Sequence, residues 1–297
     1  MAEGKLKLAL IGANGMLAQM IKRVAPAGYD IINLFRPEFD IVDRNQVLSL
    51  LKRIQPDVIV NCAAYTNVDG CETNEESAIQ VNGAGPGYLA EAALDVGATL
   101  VHISTDYVFP GDKMEPYSED DATGPLSAYG RSKLAGEQAL LSSGLTNYFI
   151  LRTSWLYGPG GNNFVETILR LAGEREELRI VADQHGSPTF TADLANAIFH
   201  LLMAAQGQQA YGIYHFSNNG ICTWYEFANR IVSLARSNNL PIKVDRLLPI
   251  RTEEYPLPAK RPAYSVFSKT KYEAVTGQVS PCWQESLESY FKMRQMI

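Results

Sequence analysis

The sequence predicts an α/β protein: a Rossmann-like, doubly wound parallel sheet joined to a smaller, interleaved α/β substrate-binding lobe. Short apolar runs alternate with helix-like stretches through the first half, which favours a parallel sheet covered by helices. The apolar runs are nearly continuous, which indicates strands buried on both faces. After Trp155 the pattern changes to short helices and proline-containing loops, which indicates a second lobe.

Length and charge limit the class of protein. A chain of 297 residues corresponds to roughly two lobes at about 150 residues each. A hydrophobic content of 46% with 20% charged residues is typical of globular proteins. The formal charge of −6 and the lack of any Lys/Arg cluster argue against binding to nucleic acid or to an anionic membrane.

The cysteines indicate the compartment. Cys62, Cys71, Cys222 and Cys282 form no C-x-x-C pair, so the sequence lacks the spacing of zinc ligands. Scattered thiols are typical of a reducing cytoplasm. The apolar stretch at 8–11 is too short for a signal peptide or a membrane span. We therefore expect a cytoplasmic protein without a membrane partner, as a monomer or a homodimer.

The first half is predicted to contain five strands with helices between them. The strands are expected at 6–11, 31–35, 58–60, 99–103 and 148–151. The helices are expected at 16–24, 47–54, 78–96 and 132–141. Pro26 and Gly28 end the first of these helices.

The second half is predicted to be helical with one further strand. Helices are expected at 164–171, 192–204 and 225–235, and a strand at 211–216 is expected to return to the first sheet. The two parts are therefore interleaved. We assign 1–154 and about 187–217 to a nucleotide-binding Rossmann domain, and about 155–186 and 218–297 to the substrate-binding lobe.

A glycine-containing turn follows the first strand and opens the first helix, with the spacing G-x-x-G-x-x-A. Glycines allow the backbone to approach a pyrophosphate closely, and a helix N-terminus offers unpaired N–H groups to an anion. The position of this turn, between the first strand and the first helix, favours a dinucleotide site over a plain strand-to-helix turn. The residues expected to contact the cofactor are Gly12, Asn14, Gly15, Met16 and Leu17.

The end of the second strand discriminates between the two nicotinamide cofactors. Arg36 stands 24 positions after Gly12, where an acidic residue would bind the ribose of NAD and a basic one the 2′-phosphate of NADP. A guanidinium suits a phosphate, so we predict NADP(H), with NAD(H) as the alternative. Asp40 or Asp43 is expected either to contact the adenine or to cap the next helix.

A tyrosine and a lysine four positions apart are the candidate proton-transfer pair. Tyr129 and Lys133 share one face of a predicted helix. A nearby ammonium lowers the pKa of a phenol, which can then pass a proton to a carbonyl oxygen during hydride transfer. Thr105 and Asp106 follow the fourth strand, at the edge where such folds place ligands. We expect Thr105 to donate to the carbonyl and Asp106 to bond a substrate hydroxyl.

These motifs together resemble the dTDP-4-dehydrorhamnose reductase family of extended short-chain dehydrogenase/reductases. The resemblance spans nearly the whole chain. It is carried by the segments 12–18, 61–69, 104–109, 129–133, 152–155, 183–189 and 261–265.

The resemblance implies reduction of the C4 ketone of dTDP-4-dehydro-L-rhamnose by a nicotinamide hydride. It implies that Tyr129 donates the proton, that Lys133 tunes it and binds the ribose, and that Thr105 bonds the carbonyl. Residues implied to flank the nucleotide are Asp40, Ile41, Ala63, Ala64 and Tyr65. Residues implied to bind substrate are Asp106, Trp155 and, for the diphosphate, Arg261, for which a structural ion pair is the alternative.

Two positions depart from the family pattern, and other functions compete. Tyr264 stands where Asn is common, and His185 is unusual at its position. Some members resemble magnesium-bridged dimers, but the sequence does not identify the glutamates required, so neither Mg²⁺ nor a dimer follows. Tyr107 replaces the acid of the 4,6-dehydratases, and Arg36 argues against a 4-epimerase. The alternatives are a non-catalytic NADP-binding subunit resembling the regulator of methionine adenosyltransferase, or another nucleotide-sugar ketoreductase or epimerase.

Overall fold

The computed structural model describes residues 4–207 and 210–295. The strands in these residues are β1 (Leu6–Ile11), β2 (Tyr29–Leu34), β3 (Val58–Asn61), β4 (Thr99–Thr105), β5 (Tyr148–Thr153), β6 (Leu156–Tyr157), β7 (Glu177–Val181), β8 (His185–Gly186), β9 (Thr189–Phe190), β10 (Gly212–His215), β11 (Cys222–Thr223) and β12 (Arg246–Ile250). The helices are α1 (Met16–Val24), α2 (Arg44–Ile54), α3 (Val68–Thr73), α4 (Glu75–Ile79), α5 (Gly85–Val96), α6 (Ala128–Leu141), α7 (Phe164–Glu174), α8 (Thr191–Ala204), α9 (Trp224–Ser237), α10 (Thr270–Thr276) and α11 (Trp283–Arg294).

Six strands form the central sheet in the order β10-β5-β4-β3-β1-β2, and every neighbouring pair is parallel. The strand order reverses direction at β1, which has β2 on one side and β3 on the other. In open α/β sheets, ligands bind beyond the carboxyl ends of the strands at such a reversal. The predicted Rossmann-like class is confirmed, and the expected late strand joins the sheet beside β5.

The sheet is buried on both faces, as the apolar runs predicted. Along β1, Leu8 and Leu10 point into one hydrophobic cluster, and Ala9 and Ile11 point into another. Successive side chains of a strand point to opposite faces, so a strand covered on both sides must be apolar throughout. This continuous burial fixes the strand ends that carry the candidate site.

Several boundaries differ from the sequence prediction. The helix expected at 78–96 is divided, because a π-helical turn at Gln80–Ala84 separates α4 from α5. Helix α6 begins at Ala128 rather than at 132, because the Ser127 side chain caps it by accepting from the Gly130 N–H. Tyr129 therefore lies in the first turn of α6 rather than in the loop before it.

The second half contains three two-stranded sheets, which pair β7 with β12, β8 with β11, and β6 with β9. Helix α8 packs against α1 and so returns to the central sheet. The short strands and the helices α3, α10 and α11 were not predicted, because two-residue strands and helices held by tertiary contacts have too little periodicity to detect. Within the described residues, none of the helices combines the length and apolar character that a membrane span requires.

Candidate active site

The turn after β1 brings two loops of the sheet into close contact. Gly12 has φ of +73°, and a Cβ added to it would lie 2.7 Å from the backbone nitrogen of Ala63, which follows β3. Its own N–H donates to the Leu34 carbonyl at the end of β2. Only glycine satisfies both the left-handed backbone and the lack of space. At the reversal point of the sheet, the backbone of the Gly12 turn therefore lies so close to the backbone after β3 that no side chain fits between them. We call this turn the backbone cradle.

The start of α1 suits an anion. Gly15 is at the N-cap position, just before the first residue of α1. No side chain caps the helix, and its first turn contains no acidic residue. The first N–H groups of a helix have no partner within it, and the helix dipole adds a partial positive charge. The turn therefore fits the pyrophosphate of a dinucleotide.

The side chains of this turn contribute unequally. Asn14 and Gly15 are exposed and Met16 is half-buried, whereas the Leu17 side chain packs into the core. Leu17 therefore offers only its backbone to a ligand. The amide of Asn163, just before α7, lies 3.6 Å from the Met16 sulfur, a long-range contact that no sequence pattern indicates.

The residues after β3 are held by an asparagine that sequence reasoning missed. Asn82, in the π-helical turn, accepts from the Tyr65 N–H at 2.8 Å and donates to the Tyr65 carbonyl at 3.0 Å. It also donates to the Ser132 hydroxyl of α6. Ala63, Ala64 and Tyr65 are half-buried along this wall. A polar residue inside an Ala-rich helix was the available signal.

Arg36 lies two residues beyond β2, on the surface beside the glycine turn. Its guanidinium donates to Asp40 at 2.8 Å, and its side chain is 64% exposed. Burial acts to raise the pKa of Asp40, but the Arg36 hydrogen bond and charge together with the Val42 N–H outweigh it, and the net pKa is lowered. Asp43 caps α2 by accepting from the Gln46 N–H. Ile41 is buried in the core, where it packs against Gly85.

Tyr129 and Thr105 meet between α6 and the end of β4. The Thr105 hydroxyl lies near the Tyr129 phenol and acts to lower its pKa, but burial outweighs that effect and raises the pKa above its usual value. Thr105 Oγ1 donates to Asp106 Oδ1 at 3.0 Å. The one proton of that hydroxyl is thus bonded to Asp106, and its oxygen also accepts from the Tyr107 N–H at 3.3 Å. Tyr107 contacts the Tyr129 ring edge-on, with centroids 5.4 Å apart.

Lys133 contacts two groups of β4. Its amine donates to the Ile103 carbonyl at 2.6 Å and lies 3.4 Å from His102 Nε2. Burial, rather than the lysine, dominates the pKa of Tyr129 in this structure and raises it, so the tuning role of Lys133 stays a prediction. Burial also lowers the pKa of Lys133 to about 8.

Asp106 is buried at the same strand end. Burial raises its pKa to about 6, while the nearby Ser265 and Thr105 hydroxyls partly oppose that shift. Its second oxygen, Oδ2, completes no hydrogen bond of normal length and angle in the described part of the chain. Above about pH 6 the carboxylate can therefore accept a further donor.

The second lobe contributes a cavity of about 1020 Å³ that adjoins Tyr107. Trp224 and Gln184 line it, and Trp224 donates to Gln184 at 3.1 Å. Trp155, with φ of +48°, stacks on Trp224 with ring centroids 3.5 Å apart and covers Gly186. Trp224 was missed, because a lone aromatic at a helix start indicates nothing by itself.

Arg261 lines the same cavity but is paired. Its two terminal nitrogens donate to the two carboxylate oxygens of Asp69, each at 2.7 Å. Asp69 also accepts from the Ala259 N–H at 3.0 Å, and the Arg261 hydrogen bond lowers its pKa. The structure thus contains the ion pair that was the alternative interpretation of Arg261.

The two departures from the family pattern lie together. His185 and Tyr264 face each other in a parallel β-bridge, and His185 is exposed. Among residues 4–207 and 210–295, no cluster of three or more His, Cys, Asp or Glu side chains could hold a metal ion.

Comparisons with known proteins agree on one family. The family model described as RmlD substrate binding domain matches residues 6–296. The spore coat polysaccharide biosynthesis protein SpsK of Bacillus subtilis is 43% identical, over 97% of this chain and 98% of its own. The dTDP-4-dehydrorhamnose reductase of Sinorhizobium fredii is 42% identical, over 95% of each chain.

A solved structure is similar over almost the whole chain. The dTDP-4-dehydrorhamnose reductase of Bacillus anthracis, in complex with NADP, has a TM-score of 0.91 and 43% identity. The match covers 97% of this chain and 99% of that one.

Proposed function

The chain belongs to the dTDP-4-dehydrorhamnose reductase family, and we propose that it reduces the C4 ketone of dTDP-4-dehydro-L-rhamnose to dTDP-L-rhamnose with NADPH. The observation that carries this proposal is the neighbouring pair of the Tyr129 phenol and the Thr105 hydroxyl. It lies at the carboxyl end of β4, and the adjoining Tyr107 lines the cavity of the second lobe. The proposed proton donor therefore contacts a side chain that lines this cavity.

The chemistry divides between cofactor and protein. When bound, NADPH supplies the hydride that adds to C4 of the sugar. Tyr129 donates its phenolic proton to the ketone oxygen, so a C–H and an O–H bond form as the C=O bond is reduced. Thr105 turns its one proton from Asp106 Oδ1 to the same oxygen and donates a hydrogen bond to it. A donor placed where charge develops stabilises the transition state more than the ground state.

The cofactor is NADP(H), with NAD(H) as the alternative. In this proposal the backbone of Gly12, Gly15, Met16 and Leu17, with Asn14, binds the pyrophosphate. Arg36 binds the 2′-phosphate. The nucleotide is flanked by Asp40, Ile41, Ala63, Ala64 and Tyr65, and the ribose is held by Tyr129 and Lys133. Support comes from the cradle at Gly12 and the uncapped start of α1.

The substrate occupies the second-lobe cavity in this proposal. Asp106 accepts from a sugar hydroxyl with the carboxylate oxygen that completes no other bond. Trp155 lines the sugar site, and Arg261 binds the diphosphate. The cavity volume of about 1020 Å³ is at the upper end of the range for small-molecule sites, which suits a nucleotide sugar.

We also propose a domain organisation and a cellular location for the enzyme. Residues 1–154 and about 187–217 bind the cofactor, and about 155–186 and 218–297 bind the substrate. The return of α8 and β10 to the central sheet supports that division. The enzyme acts in the cytoplasm as a monomer or a homodimer, and its four free cysteines fit a reducing compartment.

The test is turnover of the purified chain. We expect NADPH absorbance to fall when the enzyme is mixed with dTDP-4-dehydro-L-rhamnose, and dTDP-L-rhamnose to appear by chromatography. Tight binding of NADPH without turnover, together with co-purification of a larger partner, would instead support the regulatory-subunit alternative.

A further inference from the structure

A buried histidine lies behind the proposed proton donor. His102, in β4, is fully buried and faces Asn61 of β3 across the sheet. Its Nδ1 lies 3.1 Å from Asn61 Nδ2, and its Nε2 lies 3.4 Å from the Lys133 amine. Asn61 and Lys133 are themselves 1% and 2% exposed. The three side chains therefore form a contact chain shielded from water.

The backbone fixes the direction of the hydrogen bonds in this chain. The Ala63 N–H donates to Asn61 Oδ1 at 3.0 Å, and a backbone N–H can only donate. Asn61 therefore presents its NH₂ group to His102, so Nδ1 must be the unprotonated nitrogen. A neutral imidazole has one N–H, which is then on Nε2 and points at Lys133.

This arrangement favours the neutral amine of Lys133 over its ammonium form. An Nε2–H can donate to Lys133 only when the amine has a free lone pair, whereas an ammonium places donor against donor. A neutral amine still has N–H groups to donate to the Ile103 carbonyl. The ammonium therefore loses a favourable contact that the amine retains.

From this geometry we propose that His102 is a positioning residue for Lys133: locked in the Nε2–H form by Asn61 and the Ala63 amide, it stabilises the neutral amine of that lysine. The proposal rests on the proposed function in one respect. If the reductase needs the Lys133 ammonium to bind the ribose and stabilise the Tyr129 phenolate, His102 sets the upper pH limit of activity.

Other charged or titratable groups face Lys133. Glu137, one turn further along α6, favours the ammonium, but both of its oxygens bond Arg152. Burial raises the pKa of the Cys62 thiol to about 12, so it stays neutral. Tyr129 titrates above its usual range. A titration near pH 8 in the free enzyme is therefore assigned to Lys133.

The first test observes the tautomer directly and needs no turnover. In protein labelled with ¹⁵N-histidine, we expect His102 to show a protonated Nε2 and an unprotonated Nδ1 from pH 6 to 9. Assignment uses the His102→Gln variant. An Nδ1–H tautomer, or an imidazolium form within this range, would overturn the proposal.

The second test changes the pKa of Lys133. His102→Gln removes the fixed N–H and lets an amide oxygen accept from the amine. We expect the alkaline limb of kcat/KM, which reports groups of the free enzyme, to move up by about one pH unit. NADPH affinity, measured by fluorescence, should shift its pH dependence in the same direction. An unchanged limb in a folded variant would refute the role of His102.

A second variant keeps the test decisive if His102→Gln fails to fold. Asn61→Asp places a carboxylate oxygen against Nδ1, so the histidine proton moves there and Nε2 accepts from the ammonium. We expect the same upward shift and an Nδ1–H signal by NMR. If the tautomer reverses but the limb does not move, the proposal is wrong.

His215→Gln is the matched control. This histidine, in β10, is also fully buried, but it contacts the Tyr117 carbonyl and Arg152 of β5. Its replacement should lower stability and leave the alkaline limb in place. Absence of reduction by the wild-type chain would refute the proposed function, whereas the NMR result would still decide the role of His102.

Discussion

The cofactor crevice and the substrate cavity are built in opposite ways. The crevice is made mainly of backbone: the turn at Gly12, the start of α1 and the residues after β3, each directly following a strand. The cavity is made of side chains brought together from distant segments, such as Trp155 with Trp224 and Asp69 with Arg261. We therefore expect the crevice to be sensitive to added backbone volume and the cavity to be sensitive to single side-chain contacts.

The two candidate phosphate-binding arginines show the same contrast. Arg36 is 64% exposed and bonds Asp40 through one nitrogen, an arrangement worth about 1 kcal/mol or less. The Arg261 side chain is 18% exposed and bonds Asp69 through two parallel hydrogen bonds. Arg36 can leave its carboxylate for a phosphate at little cost, whereas Arg261 must give up a better partner.

The largest effect is expected where the two regions meet. Tyr129→Phe removes the proposed proton donor and keeps the ring that packs against Tyr107. We expect kcat to fall by roughly 10²–10⁴-fold, the range for general acid catalysis, with a far smaller loss of NADPH affinity, because Lys133 and the glycine turn still hold the cofactor. Steady-state kinetics and a fluorescence titration measure the two quantities.

The control for that change is Tyr148→Phe, at the first residue of β5 and thus at the opposite edge of the sheet. It should leave kcat unchanged. A near-normal kcat in Tyr129→Phe would show that Tyr129 is not the proton donor.

The next largest effect tests the backbone cradle. Gly12→Ala adds a Cβ 2.7 Å from the Ala63 nitrogen at a residue with φ of +73°. We expect the free energy of unfolding to fall by about 1–3 kcal/mol and NADPH affinity to fall at least roughly tenfold. Denaturant unfolding and cofactor titration measure these effects.

Gly28→Ala is the matched control, because an added Cβ there meets no atom within 4 Å and its φ is not positive. It should be neutral in both assays. If Gly12→Ala bound NADPH normally, the crevice would not depend on close backbone approach.

The same contrast explains how much the sequence could predict. The crevice follows from local rules, since a strand, a glycine turn and a helix in succession determine where Gly12 and Met16 lie. Helix α6 was predicted to start at 132, whereas the Ser127 cap starts it at Ala128. Even so, the sequence was enough to place Tyr129 and Lys133 on one helical face.

Long-range contacts limit prediction elsewhere. Asn82 and His102 each act on residues far from them in the chain, and neither stands in a pattern that indicates a partner. The pKa of Tyr129 was predicted to fall from its spacing to Lys133, but it rises, because burial and the actual partners of the lysine depend on the packed structure. Spacing along a helix gives proximity, not contact.

A smaller effect distinguishes the two roles of Arg261. Arg261→Gln should raise the KM for the nucleotide sugar roughly tenfold with kcat and NADPH affinity unchanged, because a charged donor to the diphosphate is lost. Asp69→Asn serves as the paired variant. If Arg261 exchanges Asp69 for the diphosphate, weakening the ion pair leaves KM unchanged or lowers it; equal increases in KM for both variants would show that the pair is only structural.

The smallest effect is expected at the exposed end of the crevice. Arg36→Ala should weaken NADPH by up to roughly fivefold and leave NADH unchanged, since a solvated ion pair to the 2′-phosphate contributes about 1 kcal/mol or less. Arg53→Ala, at the exposed C-terminal turn of α2, should change neither affinity. Equal losses of affinity for NADPH and NADH would mean that Arg36 stabilises the loop through Asp40 and does not bind the 2′-phosphate. A loss much larger than fivefold would show that this surface becomes desolvated when the cofactor binds, which would make the crevice resemble the cavity.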